Sequence, residues 1–152
     1  MNIDLAIKIA TPVSTVIGII TLIFVIISYR RQMNAHTFLE YTNRFEKIME
    51  SFPRSSWSAR LNLYGPLPAT SEELSLCALQ YLNLCSEEFY LHKRGYLAKD
   101  VWQIWEGEMR RTLKSPLFIR EWSLLSREFQ SYPEFSKYIG AVQAQDANTD
   151  ID

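Results

Sequence analysis

The chain has 152 residues, 16 basic and 17 acidic side chains and a formal charge of -1. That length holds one domain and excludes two full ones, the balanced charge excludes nucleic-acid binding by bulk electrostatics, and 47% hydrophobic residues exclude a disordered chain. Two cysteines are too few for a disulfide framework, and the mean hydropathy of -0.11 describes a soluble domain only as an average, because the apolar residues are unevenly spread.

Residues 1–8 carry Asp4 and Lys8 and read as a short extracytoplasmic N-terminus. Residues 9–29, IATPVSTVIGIITLIFVIISY, contain no charge, and 14 of these 21 are apolar. At about 1.5 Å per helical residue the run spans a bilayer core of about 30 Å. Ser28-Tyr29-Arg30-Arg31 reads as a stop-transfer signal rather than a small-residue cleavage site, so a retained transmembrane helix is expected. Arg30 and Arg31 outweigh the flanking positive charge on the other side, which predicts a single pass through the inner (plasma) membrane with the N-terminus outside and the C-terminal domain cytoplasmic. The cysteines then face a reducing compartment as free thiols. Ala10, Ser14 and Gly18 fall four apart on one face, a stripe of small residues through which two such helices can pack into a homo-oligomer.

Residues 30–140 read as a cytoplasmic, all-α domain. Phe38, Tyr41, Phe45, Ile48 and Met49 recur at spacings of three and four with no Gly or Pro before Pro53, which predicts one long helix over residues 11–50, half in lipid and half in cytosol. Residues 51–56 read as a loop, 57–63 as a short helix, and Gly65-Pro66-Leu67-Pro68 as a break. Thr70 with Glu73 resembles a capping box, with Ser71 as the rival cap, and opens a central helix that ends at Gly95. Leu74, Ala78, Tyr81, Leu82, Cys85 and Phe89 share its inner face. A third helix is expected over residues 99–114, with a stripe of Val101, Trp105, Met109 and Leu113 and Trp102 nearby. Ser115-Pro116 stops it and starts a fourth carrying Phe118, Trp122, Leu125 and Phe129, and a last short helix covers residues 133–139. Residues 141–152 lack periodicity, carry three acids and read as a disordered acidic tail.

Chemistry is sparse. The two histidines are His36 and His92, no glycine-rich phosphate loop, nucleophile elbow or C-x-x-C pair occurs, and no cofactor or metal is implied. The most concentrated polar group is Glu87, Glu88, His92 and Arg94 on the central helix. Glu88 and His92, four apart, could pair with each other, or Glu88 with an arginine from another helix. A catalytic reading of Glu87, Glu88 and His92 is the alternative. Arg110, Arg111 and Lys114 read as complements to a helix C-terminus, or as contacts to anionic lipid.

The run YLNLCSEEFYLHKRGYLAKDVWQIW, followed by Trp122, resembles an uncharacterised bacterial family of short, single-pass, membrane-anchored helical proteins. The resemblance covers residues 72–125 and rests on Tyr81, Asn83, Glu87, Glu88, Arg94, Gly95, Val101 and Trp102. It implies a bacterial inner-membrane protein and no assigned activity. The sequence thus predicts a non-catalytic, membrane-tethered helical module that binds a protein partner and no nucleic acid. The alternative is a membrane-active effector or phage-exclusion factor that assembles through its transmembrane helix.

Overall fold

A computed structural model describes residues 3–57, 59 and 66–144, with side chains from residue 13 onward. Among these the chain is all-α, one long apolar N-terminal helix followed by a helical bundle, with no strand. The helices are α1 (Ile3–Ser51), α2 (Glu72–Lys93), α3 (Lys99–Leu113), α4 (Pro116–Leu125) and α5 (Pro133–Ala144). Two compact units are present, residues 1–39 and 40–152, and each is described separately.

In the first unit, α1 begins at Ile3, ahead of the expected residue 11, and runs through Pro12. A proline removes one backbone donor, and a long helix absorbs that loss. From residue 13 to 27 the large apolar side chains stand 45–74% exposed, and α1 is long and apolar enough to cross a membrane.

In the second unit, α2 is the central element. Ser71, not Thr70, is its N-cap: the Ser71 hydroxyl accepts the Leu74 amide at 3.1 Å, and Glu72 and Glu73 then fill the first turn, where the helix dipole favours acids. At the other end the Gly95 amide donates to the His92 carbonyl and the Tyr96 amide to the Leu91 carbonyl, both at 2.9 Å, which closes the orphan carbonyls in a Schellman turn. Gly95 adopts φ 69°, the left-handed value the turn requires.

Aromatic side chains join α2 to each of the other helices. Tyr81 meets Phe45 of α1 at 6.2 Å and Phe118 of α4 at 4.9 Å, and Phe89 meets Trp102 of α3 at 6.3 Å and Phe135 of α5 at 5.8 Å. All six residues expected on the inner face of α2 are buried. On α3 the buried row is Trp102, Trp105, Met109 and Leu113, and Val101 lies at its edge. Ser115 caps α4 with Pro116 at its first position, as expected, and residues 126–129 tighten into a 3-10 turn that buries Phe129. Arg54–Ser56 is also a 3-10 turn within the expected loop.

The C-terminal expectation needs correction. Helix α5 continues past Gly140 to Ala144, so residues 141–144 belong to the domain and not to a tail. Val142 is fully buried, and Gln143 Nε2 donates to the Leu113 carbonyl at 3.1 Å, anchoring the extra turn on α3. The helix expected at residues 57–63 and the tail from residue 145 lie outside the described residues.

Candidate functional site

The amphipathic spacing on α1 turns Tyr41 and Arg44 toward the polar end of α2. The Arg44 guanidinium grips both oxygens of Glu87, with Nη1 to Oε2 at 2.6 Å and Nη2 to Oε1 at 2.9 Å. Tyr41 Oη donates to Glu87 Oε2 at 3.3 Å, while its ring stacks on Trp105 at 5.3 Å and lies 5.0 Å from the Arg44 guanidinium. The hydrogen bond from Arg44 holds the Glu87 carboxyl below the usual carboxylate range, against a smaller opposing effect of burial. Burial, and then the Glu87 charge, push the Tyr41 hydroxyl up.

Glu88, the next residue, has the opposite environment. It is only 8% exposed, although its carboxyl oxygens are not among the buried atoms left without a partner. Burial pushes its carboxyl up to about 8; the Arg44 charge pulls it down and the Glu87 charge pushes it further up. One turn earlier Cys85 is buried, its thiol raised by burial and then by Glu88. Tyr81 is raised by burial and then by Cys85.

Arg44 therefore binds Glu87 and acts on Glu88 through its charge alone, whereas the other two residues of the expected polar group are engaged elsewhere. The His92 ring lies parallel to Trp102 with centroids 4.2 Å apart, and among the described residues it forms no ion pair with Glu88. Arg94 is the C-cap of α2, with its guanidinium 5.4 Å from the Tyr90 ring. It borders a surface cleft of about 310 Å³ together with Tyr90, Lys93, Tyr132 and Glu134. Among the described residues no three His, Cys, Asp or Glu side chains are placed to hold a metal ion. Chemically, the arrangement offers an ion pair, a buried acid and stacked rings.

On α1, Ser14 and Gly18 are exposed, and a Cβ added to Gly18 would meet nothing within 4 Å. The Ala10 side chain lies outside the described ones. Arg30 and Arg31 are exposed. The basic cluster on α3 is largely neutralised within its own helix: Arg110 pairs with Glu106 at 2.7 Å, and Arg111 pairs with Glu108.

Sequence reasoning missed one buried acid. Glu121 is fully buried and accepts from Arg120 Nη2 at 2.8 Å and from Ser75 Oγ at 2.7 Å, while Arg120 Nη1 donates to the Pro68 carbonyl at 2.6 Å. This network ties α4 to α2 and to the segment before it. In sequence, Arg120-Glu121 looks like any solvated pair on an amphipathic helix, and only the packing of α4 on α2 buries it. Compared with protein-family models, curated proteins and solved structures, the chain matches none.

Proposed function

We propose that this chain is a non-catalytic, membrane-tethered helical module that binds a protein partner at the cytoplasmic face of a bacterial inner membrane. The observation that carries the anchoring is the exposed apolar run of α1: an uncharged helix that leaves this many large apolar side chains uncovered needs a hydrocarbon surround. Arg30 and Arg31 follow it and favour the orientation with the domain inside. The resemblance of residues 72–125 to a family of anchored bacterial proteins supports the same location. For the partner, Leu76, Ile104 and Leu124 place apolar side chains on the surface of the bundle, each more than half exposed. Tethering raises local concentration, so a modest contact suffices.

The test starts with topology. In inverted membrane vesicles a protease should digest the helical domain and leave α1 with the membrane; in spheroplasts the domain should be protected. Extraction by alkaline carbonate would refute the anchor. A photo-crosslinking residue placed at Ile104 should give one discrete adduct in cells, lost with Leu124→Glu. If no adduct forms and overexpression instead collapses the membrane potential in a way that Gly18→Ile prevents, the chain is a membrane-active effector assembling through Ser14, Gly18 and Ala10.

A further inference from the structure

The end of α2 and the start of α5 enclose a surface cleft of about 310 Å³, lined by Tyr90, Lys93, Arg94, Tyr132 and Glu134. Its aromatic floor is fixed by packing. The Tyr132 ring stacks on Phe135 at 5.9 Å, lies 5.9 Å from Phe89 and meets Tyr90 edge-on at 6.5 Å. Phe89 and Tyr90 in turn seat the cations: Lys93 Nζ lies 5.8 Å from the Phe89 centroid, and the Arg94 guanidinium 5.4 Å from that of Tyr90. The backbone is held on both sides, by the Schellman turn after α2 and by the Tyr132 amide, which donates to the Phe129 carbonyl at 2.9 Å.

The charges of this cleft are left open. Arg44, Arg110, Arg111 and Arg120 each close on an acid, whereas among the described residues the side chains of Lys93, Arg94 and Glu134 form no ion pair and no hydrogen bond. The Tyr90 and Tyr132 hydroxyls likewise donate to no described group. Burial pushes the Tyr132 hydroxyl up, Glu134 and Tyr90 push it further and Arg94 pulls it back, so both signs of charge act at one point of the cleft.

We propose that this cleft binds a phosphoryl group joined to an amine, the chemistry of phosphoethanolamine, with Lys93 and Arg94 on the phosphate and Glu134 on the ammonium. The Arg94 fork can take two phosphate oxygens, Lys93 adds a point charge, and the tyrosine hydroxyls can serve further oxygens that a carboxylate does not have. Glu134 repels a bare anion and attracts a ligand that brings a cation to it. The tyrosine faces beside Glu134 also suit an ammonium. The volume of 310 Å³ lies at the small end of ligand sites, which span about 300–1,000 Å³, and suits a molecule of headgroup size. Free O-phosphoethanolamine and the headgroup of phosphatidylethanolamine carry this same chemistry. The site uses only the second unit of the chain, so it stands apart from the anchoring and the protein partner proposed above.

The experiment uses the full chain in maltoside micelles, which contain neither phosphate nor amine. Calorimetry compares O-phosphoethanolamine, inorganic phosphate and ethanolamine. O-phosphoethanolamine should saturate one site at least about tenfold more tightly than either fragment. Lys93→Gln and Arg94→Gln should each weaken it about tenfold. Glu134→Gln should remove the preference for the amine and leave inorganic phosphate bound at least as tightly. On the unmutated chain, the amide resonances of residues 90–95 and 131–135 should shift while those of α3 stay in place. Dihexanoyl phosphatidylethanolamine in the same micelles assigns the source: a lipid if it binds more tightly than the free compound, a soluble phosphoamine if more weakly. The proposal is overturned if neither form saturates, if inorganic phosphate binds as well as O-phosphoethanolamine, or if binding survives replacement of both cations. Shifts that map outside the cleft also overturn it, a readout that stands even where a variant folds poorly.

Discussion

The apolar residues of α1 and those of the bundle are the same in kind and opposite in placement. Ile19, Ile23 and Phe24 are more than half exposed, whereas Leu82, Phe118 and Phe135 are fully buried. In the bundle each helix is apolar on one side, and the helices satisfy one another by facing inward. The run in α1 carries no charged side and leaves its large apolar side chains uncovered, as a helix long and apolar enough to cross a membrane would. Its polar groups behave accordingly: Thr21 Oγ1 donates to the Ile17 carbonyl at 2.8 Å, folding the hydroxyl back onto its own helix. The difference teaches that hydrophobicity specifies a surround, and periodicity decides whether that surround is protein or lipid.

The largest expected effect tests the bundle side. Phe118→Ala removes a fully buried ring that packs on Tyr81 and Phe52, and should cost about 3–5 kcal/mol of domain stability, read by urea unfolding in detergent micelles. Phe24→Ala, at 74% exposure, should leave that unfolding curve unchanged. Equal losses would break the contrast. The reverse test places a charge in the α1 run. Ile20→Arg should cost about 2.5–3.5 kcal/mol of membrane insertion, seen as a shift of the chain from the membrane to the soluble fraction, with the melting of the bundle unaltered.

Much of this organisation was legible because it depends on local rules. The uncharged run, the Ser115-Pro116 corner and the glycine at 95 each follow from chemistry within a few residues. Gly95→Val should therefore cost about 1–2 kcal/mol, since φ 69° puts a Cβ against its own backbone even though nothing else lies within 4 Å. A thermal melt in micelles would read it as a drop of several degrees, and an unchanged midpoint would mean the Schellman turn contributes nothing. What stayed illegible depends on contacts between distant segments. Ser71 displaced Thr70 because the helix starts one residue later than a capping box at Thr70 requires. The last turn of α5 forms because Val142 finds a buried site and Gln143 finds the Leu113 carbonyl. Glu88 was expected to pair with His92 or with an arginine from another helix, yet the arginine fork closed on Glu87, which lies at the half-exposed edge that Arg44 reaches.

That one-residue offset gives the smallest and most discriminating prediction. The Arg44 and Glu87 side chains are 40% and 44% exposed, so solvent screens the pair, and Arg44→Ala should cost no more than about 1 kcal/mol at neutral pH. Its pH window lies on the acid side. Glu87 is held below the ordinary carboxylate range, so the stability it contributes is present above that range and lost as pH falls through the lowered value. Glu88 runs the other way, contributing most below the ordinary range and least above 8. Urea unfolding across pH should then separate two neighbouring acids. Arg44→Ala flattens the acid limb and, by removing the charge that pulls Glu88 down, moves the upper limb to higher pH, whereas Glu88→Gln removes the upper limb and leaves the acid one. If Arg44→Ala abolished both limbs, the two carboxyls would titrate as one unit, and the contrast between an exposed edge and an enclosed face of α2 would not hold.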